Sequence, residues 1–364
     1  MSDRVRVGIV GCGAISGAYL KFSRAFPILE IVACSDIDPQ RAQAKAAEFE
    51  VPQVLSVDDL LESADLDIVL NLTIPRAHAD ITGRALACGR HVFSEKPLAI
   101  TTAQGKEILE SAKLRQLRLG CAPDTFMGAG IQTARKLIDE GAIGRPLAFT
   151  AFMMCPGHEH WHPNPEFFYE PGGGPMFDMG PYYLTALLNF FGPIRRIMGA
   201  ASIAIPERTI LAGARIAVQT PDHVCGTIEF KNGVMGTLIT SFATRFPQYD
   251  ANQPITIYGT DGTLKVPDPN MFDGPVHLRR KDDPEFAEMP HTFPVGYGRS
   301  VGLADMAHAL RSARPHRANG EQAYAVLEAM EAFLESSKQG RAIEPQAKYE
   351  RPEPMPDRPL QMPD

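Results

Sequence analysis

Residues 5–20 read VRVGIVGCGAISGAYL. Val5, Val7, Ile9 and Val10 form a short apolar run of the kind found in strands buried on both faces of a parallel sheet. Gly11-Cys12-Gly13-Ala14-Ile15-Ser16 follows at once, a G-x-G-x-x-G pattern with Ser in the third glycine's place. The first glycine permits a tight turn from strand to helix. The second lets backbone amides approach a pyrophosphate, which then rests on the positive end of the next helix. The third position needs only a small residue for helix–strand packing, so Ser16 fits, and Gly17 adds room. A second apolar strand over 30–34 leads into Ser35-Asp36, with Asp36 twenty residues beyond Ser16. A carboxylate there accepts the adenosine ribose hydroxyls. The alternative is an ordinary glycine-rich turn, which strand, glycines and acid in one register argue against.

The same rhythm continues outward. Helices are expected over 39–48, 56–61 (with Ser56 as cap), 77–88 and about 102–114. Apolar strands are expected over 67–72, 91–93 and 118–121. Alternating strand and helix predict a doubly wound parallel sheet over about residues 4–122. Beyond Pro123 the pattern changes. After a helix over 130–140, β-rich stretches run over 146–154, 194–205, 223–230, 234–242 and 254–258. Lys231-Asn232-Gly233 and Asp261-Gly262 read as hairpin turns. One helix is expected over 176–191 and another over 321–338. The expected class is therefore α/β in an N-terminal domain (1–122), joined to an α+β domain with a large, mostly antiparallel open sheet (123–343). A tail over 344–364 with six prolines either wraps the surface or frays.

Bulk properties exclude several classes. An apolar share of 44% over 364 residues buries a large core without disulfides. The net charge of −7, without a basic cluster, argues against nucleic acid. No run of about 18 apolar residues argues for a membrane span. The six cysteines are scattered with no C-x-x-C, and read as small buried residues in a reducing compartment. With MSDRVRV leading straight into the first strand, a cytoplasmic protein is expected.

Four further stretches occur in fixed order: Thr73-x-Pro75-x-x-His78, Gly89-Arg90-His91-Val92-Phe93-Ser94-Glu95-Lys96-Pro97, Glu140-Gly141-Ala142-Ile143-Gly144, and Gly172-Gly173-Gly174-x-x-x-Asp178-x-Gly180. With the glycine loop, they give a chain that resembles the glucose–fructose oxidoreductase, inositol dehydrogenase and MocA-like family over about residues 4–340. The resemblance implies a Rossmann domain followed by an open α/β domain whose sheet mediates oligomerisation, here a homodimer or homotetramer. It implies reversible oxidation of a carbinol on a sugar, cyclitol or related polyol with NAD or NADP. One departure stands out: the family pattern has His where this chain has Tyr182, although some members also carry Tyr.

Hydride transfer needs the carbinol carbon facing the nicotinamide, an acceptor for the hydroxyl proton, and stabilisation of the developing oxyanion. Lys96 stands at the carboxyl end of a parallel strand, where open α/β sheets place their ligands. Its ammonium is expected to reach the nicotinamide ribose and the substrate oxygen. The bland reading is a surface lysine before a proline. Asp178 and Tyr182 are four apart on one expected helix, so they share a face. Asp178 would lie in its first turn, where the dipole favours a carboxylate. Tyr182 is the expected proton exchanger, with Lys96 or a loop histidine as alternatives. Gly11, Gly13, Ala14, Ile15 and Asp36 are expected to hold the cofactor, and Thr73, Pro75 and His78 to line its nicotinamide half. Glu95 either orients Lys96, meets the ribose, or makes a surface pair.

The stretch Gly157-His158-Glu159-His160-Trp161-His162-Pro163-Asn164 holds the only Trp and three of ten His. Trp161 is expected to stack on a sugar face, with His160 and His162 on its hydroxyls. A metal site is not expected, since alternation in an extended loop splays neighbours apart. Asp36 followed by Ile37 predicts NAD over NADP, although Arg41 is within reach of a 2′-phosphate. A non-catalytic dinucleotide-binding regulator and an NAD-dependent glycosidase are the competing functions, and net NADH production separates the dehydrogenase from both.

Overall fold

The computed structural model describes residues 4–63 and 65–360. They fall into two compact units. The first comprises the described residues up to Met127, Gly296–Tyr324 and those from Met355 on; the second comprises Gly128–Val295 and Ala325–Pro354.

In the first unit the order is β1 (Val5–Val10), α1 (Ser16–Ser23), β2 (Leu29–Ser35), α2 (Pro39–Phe49), β3 (Gln53–Val54), α3 (Val57–Glu62), β4 (Ile68–Asn71), α4 (Pro75–Ala87), β5 (His91–Ser94), α5 (Thr102–Leu114) and β6 (Leu119–Cys121). The strands pair in parallel in the order β3-β2-β1-β4-β5-β6. This is the doubly wound order of a dinucleotide-binding sheet. The apolar runs are its buried strands: Val5, Val7, Ile9, Ile68, Val69, Leu70, Val92 and Phe93 are all inaccessible. Polar caps start the helices where the sequence places them. Asp38 accepts from the amides of Gln40 and Arg41, Ser56 from Asp59, and Thr101 from Gln104. The order reverses at β1, so the loops after β1 and β4 lie side by side, the position at which such sheets bind ligands.

The second unit contains α6 (Ala129–Asp139), β7 (Pro146–Met154), α7 (Gly174–Asp178), α8 (Gly180–Phe191), β8 (Ile194–Ser202), β9 (Glu207–Thr209), β10 (Arg215–Ala217), β11 (His223–Phe230), β12 (Met235–Ser241), β13 (Ile255–Gly259), β14 (Gly262–Val266), β15 (Val276–Arg280) and β16 (Ala287–Met289). Eight strands form one sheet, ordered β16-β15-β14-β13-β7-β12-β11-β8. Only β7 and β12 pair in parallel. Both expected hairpins form, β11–β12 and β13–β14. β9 and β10 make a separate ribbon.

Two helices follow, α9 (Val301–Ser312) and α10 (Gly320–Gln339). The sequence boundary at 122/123 falls a few residues before the division, and the return of 296–324 to the first unit is not foreseen by it. There α9 packs on β6, and Asp124 accepts from the amide of Gly302 at 3.1 Å. The tail wraps rather than frays over its described part. Arg351 donates to Asn189 O and Asp139, and Tyr349 and Met355 are buried. Residues 361–364 of the tail lie outside the described residues.

The single helix expected over 176–191 is two, because Pro181 has no amide proton to continue the ladder of α7. Asp178 is accordingly the last residue of α7, directly ahead of α8, not part of a long helix's first turn. Cys12, Cys34 and Cys121 are buried as read, but Cys88, at the end of α4, is exposed. No helix among the described residues is long and apolar enough to cross a membrane.

Candidate functional site

The glycine loop in the first unit has the shape its sequence implies. Gly11 adopts φ +104°, and a Cβ there would stand 2.6 Å from the carbonyl of Leu72. Only glycine lets the β1 loop lie against the β4 loop so closely. At Gly13 a Cβ would meet nothing within 4 Å, so this stretch of backbone is uncovered. Ser16, in the third glycine's place, is buried and donates to Gly13 O at 2.7 Å. Ile15 precedes α1 without a side-chain cap, and Ala14 lies between it and Gly13.

Asp36 stands just past β2. One carboxylate oxygen accepts from the Cys12 amide at 2.7 Å and the other from the Asp38 amide at 2.9 Å. A carboxylate has about four lone-pair sites, so acceptor capacity remains for ribose hydroxyls. Arg41 approaches Asp36 at 3.6 Å and Asp38 at 3.8 Å, and is half exposed. The open backbone at Gly13, the uncapped helix start and the anchored Asp36 fit a dinucleotide. Beneath them, the Cys12 thiol donates to Ser35 O at 3.5 Å and the Cys34 thiol to Ala42 O at 3.6 Å; the neighbouring Cys34 and burial push the Cys12 thiol far up.

The loop after β4 is tied internally. Asn71 accepts from the Thr73 hydroxyl at 2.7 Å and donates to His78 O and to the Thr82 hydroxyl. Pro75 opens α4. His78, expected beside the nicotinamide, points inward. It is fully buried, and its ring nitrogens face Pro97 O at 2.6 Å and Thr73 O at 2.9 Å. Burial holds its pKa below the ordinary imidazole value. Joining two loops, it ties the Thr73 loop to the one carrying Lys96.

Glu95 is also buried. One carboxylate oxygen accepts from the Tyr19 hydroxyl and the other from the Lys96 amide, both at 2.9 Å. Its contact with residue 96 is to the backbone amide. Lys96 lies two residues beyond β5, half-buried, with its backbone amide held by Glu95.

In the second unit, the 157–164 loop is anchored by a network the sequence did not announce. Gly157 has φ +105°, and a Cβ there would stand 2.6 Å from the Tyr169 hydroxyl and 2.7 Å from Arg208. The His158 amide donates to the Tyr169 hydroxyl at 3.1 Å, which in turn donates to Glu159. Arg208 donates to Pro156 O and Glu159, both at 2.9 Å, and to Asp222 at 2.6 Å. Burial opposes ionisation of Glu159, but hydrogen bonds from Tyr169 and Arg208 outweigh it and hold its pKa below the usual range.

The histidines of this loop differ in surroundings. His160 is exposed, as is Trp161 at 56%. His162 accepts from the Asn164 amide at 3.1 Å and packs edge-on to Trp161, Phe167 and Phe168. His158 alone meets a carboxylate: its Nε2 lies 3.3 Å from Asp178 Oδ2. Phe168 and Phe242 flank its ring at centroid distances of 4.5 and 4.4 Å. Tyr182, at the start of α8, is buried at 6% exposure. Among the described residues, no group of three or more His, Cys, Asp or Glu side chains is placed to hold a metal.

Residues 5–122 match the model of an oxidoreductase family described by its NAD-binding Rossmann fold, and residues 131–265 match the GFO/IDH/MocA C-terminal domain. A relative from Saccharopolyspora spinosa, dTDP-3,4-didehydro-2,6-dideoxy-alpha-D-glucose 3-reductase, is 31% identical over 60% of this chain and 66% of its own length. Inositol 2-dehydrogenase of Burkholderia multivorans is 26% identical over 96% of this chain and 98% of its own. Among solved structures, levoglucosan dehydrogenase in complex with NADH superposes with a TM-score of 0.82 at 20% identity, covering 95% of this chain and 100% of the other. The two family matches follow one another along a chain with the sheet order of a dinucleotide-binding fold, and the chain belongs to the GFO/IDH/MocA family of NAD-binding oxidoreductases.

Proposed function

We propose that this protein is an NAD-dependent dehydrogenase that reversibly oxidises a carbinol of a sugar, cyclitol or related polyol. The observation that carries the reading is Lys96, set at the carboxyl end of β5 on a backbone clamped by Glu95 and Tyr19. A cation fixed at that edge of the sheet suits a developing oxyanion. The names of the relatives, an inositol dehydrogenase and sugar reductases, support the substrate class. Bound NAD supplies the hydride acceptor. Gly11, Gly13, Ala14 and Ile15 hold its pyrophosphate, Asp36 its adenosine ribose, and Thr73 and Pro75 its nicotinamide half. Lys96 polarises the substrate oxygen, and Asp178 and Tyr182 orient the substrate. His160, Trp161 and His162 contact its outer hydroxyls. Screening sugars and inositols with NAD and NADP, read as absorbance of reduced nicotinamide, tests the proposal. Absence of net reduction across the panel would leave the regulator or the glycosidase.

The same reading predicts the cofactor. Asp36 repels a 2′-phosphate, and its neighbour Arg41 is already engaged with two carboxylates. NADH is expected to bind at least about tenfold more tightly than NADPH, roughly 1.4 kcal/mol. Asp36→Ser should narrow the gap by releasing Arg41. Fluorescence titration that gives NADPH the lower Kd would refute the assignment of Asp36.

The open face of the eight-stranded sheet fits a second copy of the chain. In the paired rows of β8, β11, β12, β7 and β13, Met198, Thr227 and Thr237 stand beside Met235 and Tyr258. Met198 and Met235 are more than half exposed. A homodimer or homotetramer is expected, and Met235→Glu should shift its mass toward the monomer in light scattering. A wild-type protein that is monomeric at micromolar concentration would remove the proposal.

A further inference from the structure

We propose that His158, oriented by Asp178, is the group that exchanges the proton with the substrate oxygen. This rests on the dehydrogenase reading above and deepens it. The position that carries His in the family pattern carries Tyr182 here, so the usual imidazole is absent from α8. The structure returns an imidazole to the same carboxylate from a different segment, with His158 Nε2 3.3 Å from Asp178 Oδ2.

The geometry fits a base oriented by an acid. Nε2–H donating to the carboxylate fixes the tautomer and leaves a lone pair on Nδ1. Nδ1 has no hydrogen-bond partner among the described residues. The pair is mostly but not wholly enclosed, with 13% of the imidazole and 18% of the carboxylate exposed. Phe168 and Phe242 restrict the ring from its sides. The backbone beneath is fixed at three consecutive residues. Gly157 lies against Tyr169 and Arg208, the His158 amide is bound by Tyr169, and Glu159 is bound by Tyr169 and Arg208. A loop with no other task would have no need of a buried arginine, two carboxylates and a tyrosine to set one histidine. Such support is what a proton-transfer group requires. His160 and His162 lack it. The first is exposed, and the second uses its Nδ1 within its own loop.

The carbinol carbon loses its hydrogen with the bonding pair to the nicotinamide ring, the hydroxyl proton passes to His158 Nδ1, and the oxygen's electrons form the carbonyl bond. The products are a ketone (or lactone), reduced nicotinamide and one proton, which the imidazolium releases to water. Reduction runs the same transfers backwards.

The test uses His158→Gln, whose amide nitrogen replaces Nε2 against Asp178 while no base remains at the Nδ1 position. The hydride-transfer rate in single turnover should fall by about 10² or more. Calorimetric affinity for NADH, and for the polyol in the binary complex, should change little. Asp178→Asn should lower the same rate less. A His158→Gln protein with a near-normal single-turnover rate overturns the proposal and leaves the dehydrogenase reading intact. So does loss of the rate in Tyr182→Phe alone. If His158→Gln does not fold, His158→Asn with an unchanged melting temperature serves in its place and carries the same expectation. Wild-type protein that oxidises no polyol in the panel removes both the reading and this proposal.

Discussion

Lys96→Met is expected to lower kcat/KM for polyol oxidation by about 10³, within the range of electrostatic and acid–base contributions in enzymes. NADH binding should persist. Methionine keeps the length and apolar stem of lysine and removes only the charge. The clamp below it survives, because Glu95 binds the backbone amide of residue 96 and not its side chain. Neither Tyr19 nor Glu95 loses a hydrogen bond, so the support beneath residue 96 is kept. The loss should therefore fall on the chemical step, visible as a slow single turnover at saturating NAD and substrate. Lys96→Arg is not a conservative rescue, since a planar fork replaces a compact point charge. A Lys96→Met protein with a normal single-turnover rate would place oxyanion stabilisation elsewhere and withdraw the observation on which the functional reading stands.

The first unit was legible because its signals are local. Buried parallel strands are continuous apolar runs, their helices carry caps at Asp38, Ser56 and Thr101, and the glycine loop sits where one leads to the next. The central strands of the second unit were legible for the same reason. What escaped was short or long-range. β15 and β16 are brief strands, and β15 ends in two arginines, so alternation has no length in which to show. α9 lacks a start signal. Ser300, where a cap would stand, has φ +85° and donates instead to Tyr19 O, a partner 281 residues away. The break before α8 was written in Gly180-Pro181, where proline removes a ladder donor.

The candidate site divides similarly. Motif residues announce themselves by spacing, whereas the partners that position them do not. His78 stood in a motif with a nucleotide-side reading, yet its two carbonyl partners make it an internal tie. Nothing near His158 in sequence marks Asp178, twenty residues on, as its partner. Arg208 gave no signal at all. It lies on β9, 49 residues from Glu159, in a strand too short to attract notice.

Arg208 carries the second large expectation. Its side chain is 2% exposed and bridges Asp222, which is fully buried, to Glu159 and Pro156 O. Burial alone would depress the guanidinium's pKa, but hydrogen bonds to Asp222 and Glu159 outweigh it and raise the value. Arg208→Met would leave Asp222 as a buried charge whose remaining donors are the amides of Ala204 and Ile205. Removing one member of a buried ion pair costs about 3–5 kcal/mol, which for a domain of this size lowers the melting temperature by roughly 10 °C. Glu159 adds a pH dependence. Its folded pKa is depressed, so its contribution is complete at neutrality and is lost as the pH falls through that lowered value. Loss of Arg208 should weaken that contribution and move the acid limb of wild-type stability toward higher pH. The effect should reach the chemistry through position. Without Arg208, Glu159 and the His158 amide are both left to the Tyr169 hydroxyl, and Pro156 O loses its donor. Well below its melting temperature, Arg208→Met should therefore show a reduced kcat with KM little altered. A general loss of structure would instead reduce active protein and leave kcat per folded molecule unchanged. Equal melting temperatures for wild type and variant would mean the three charges do not act as the unit their distances describe.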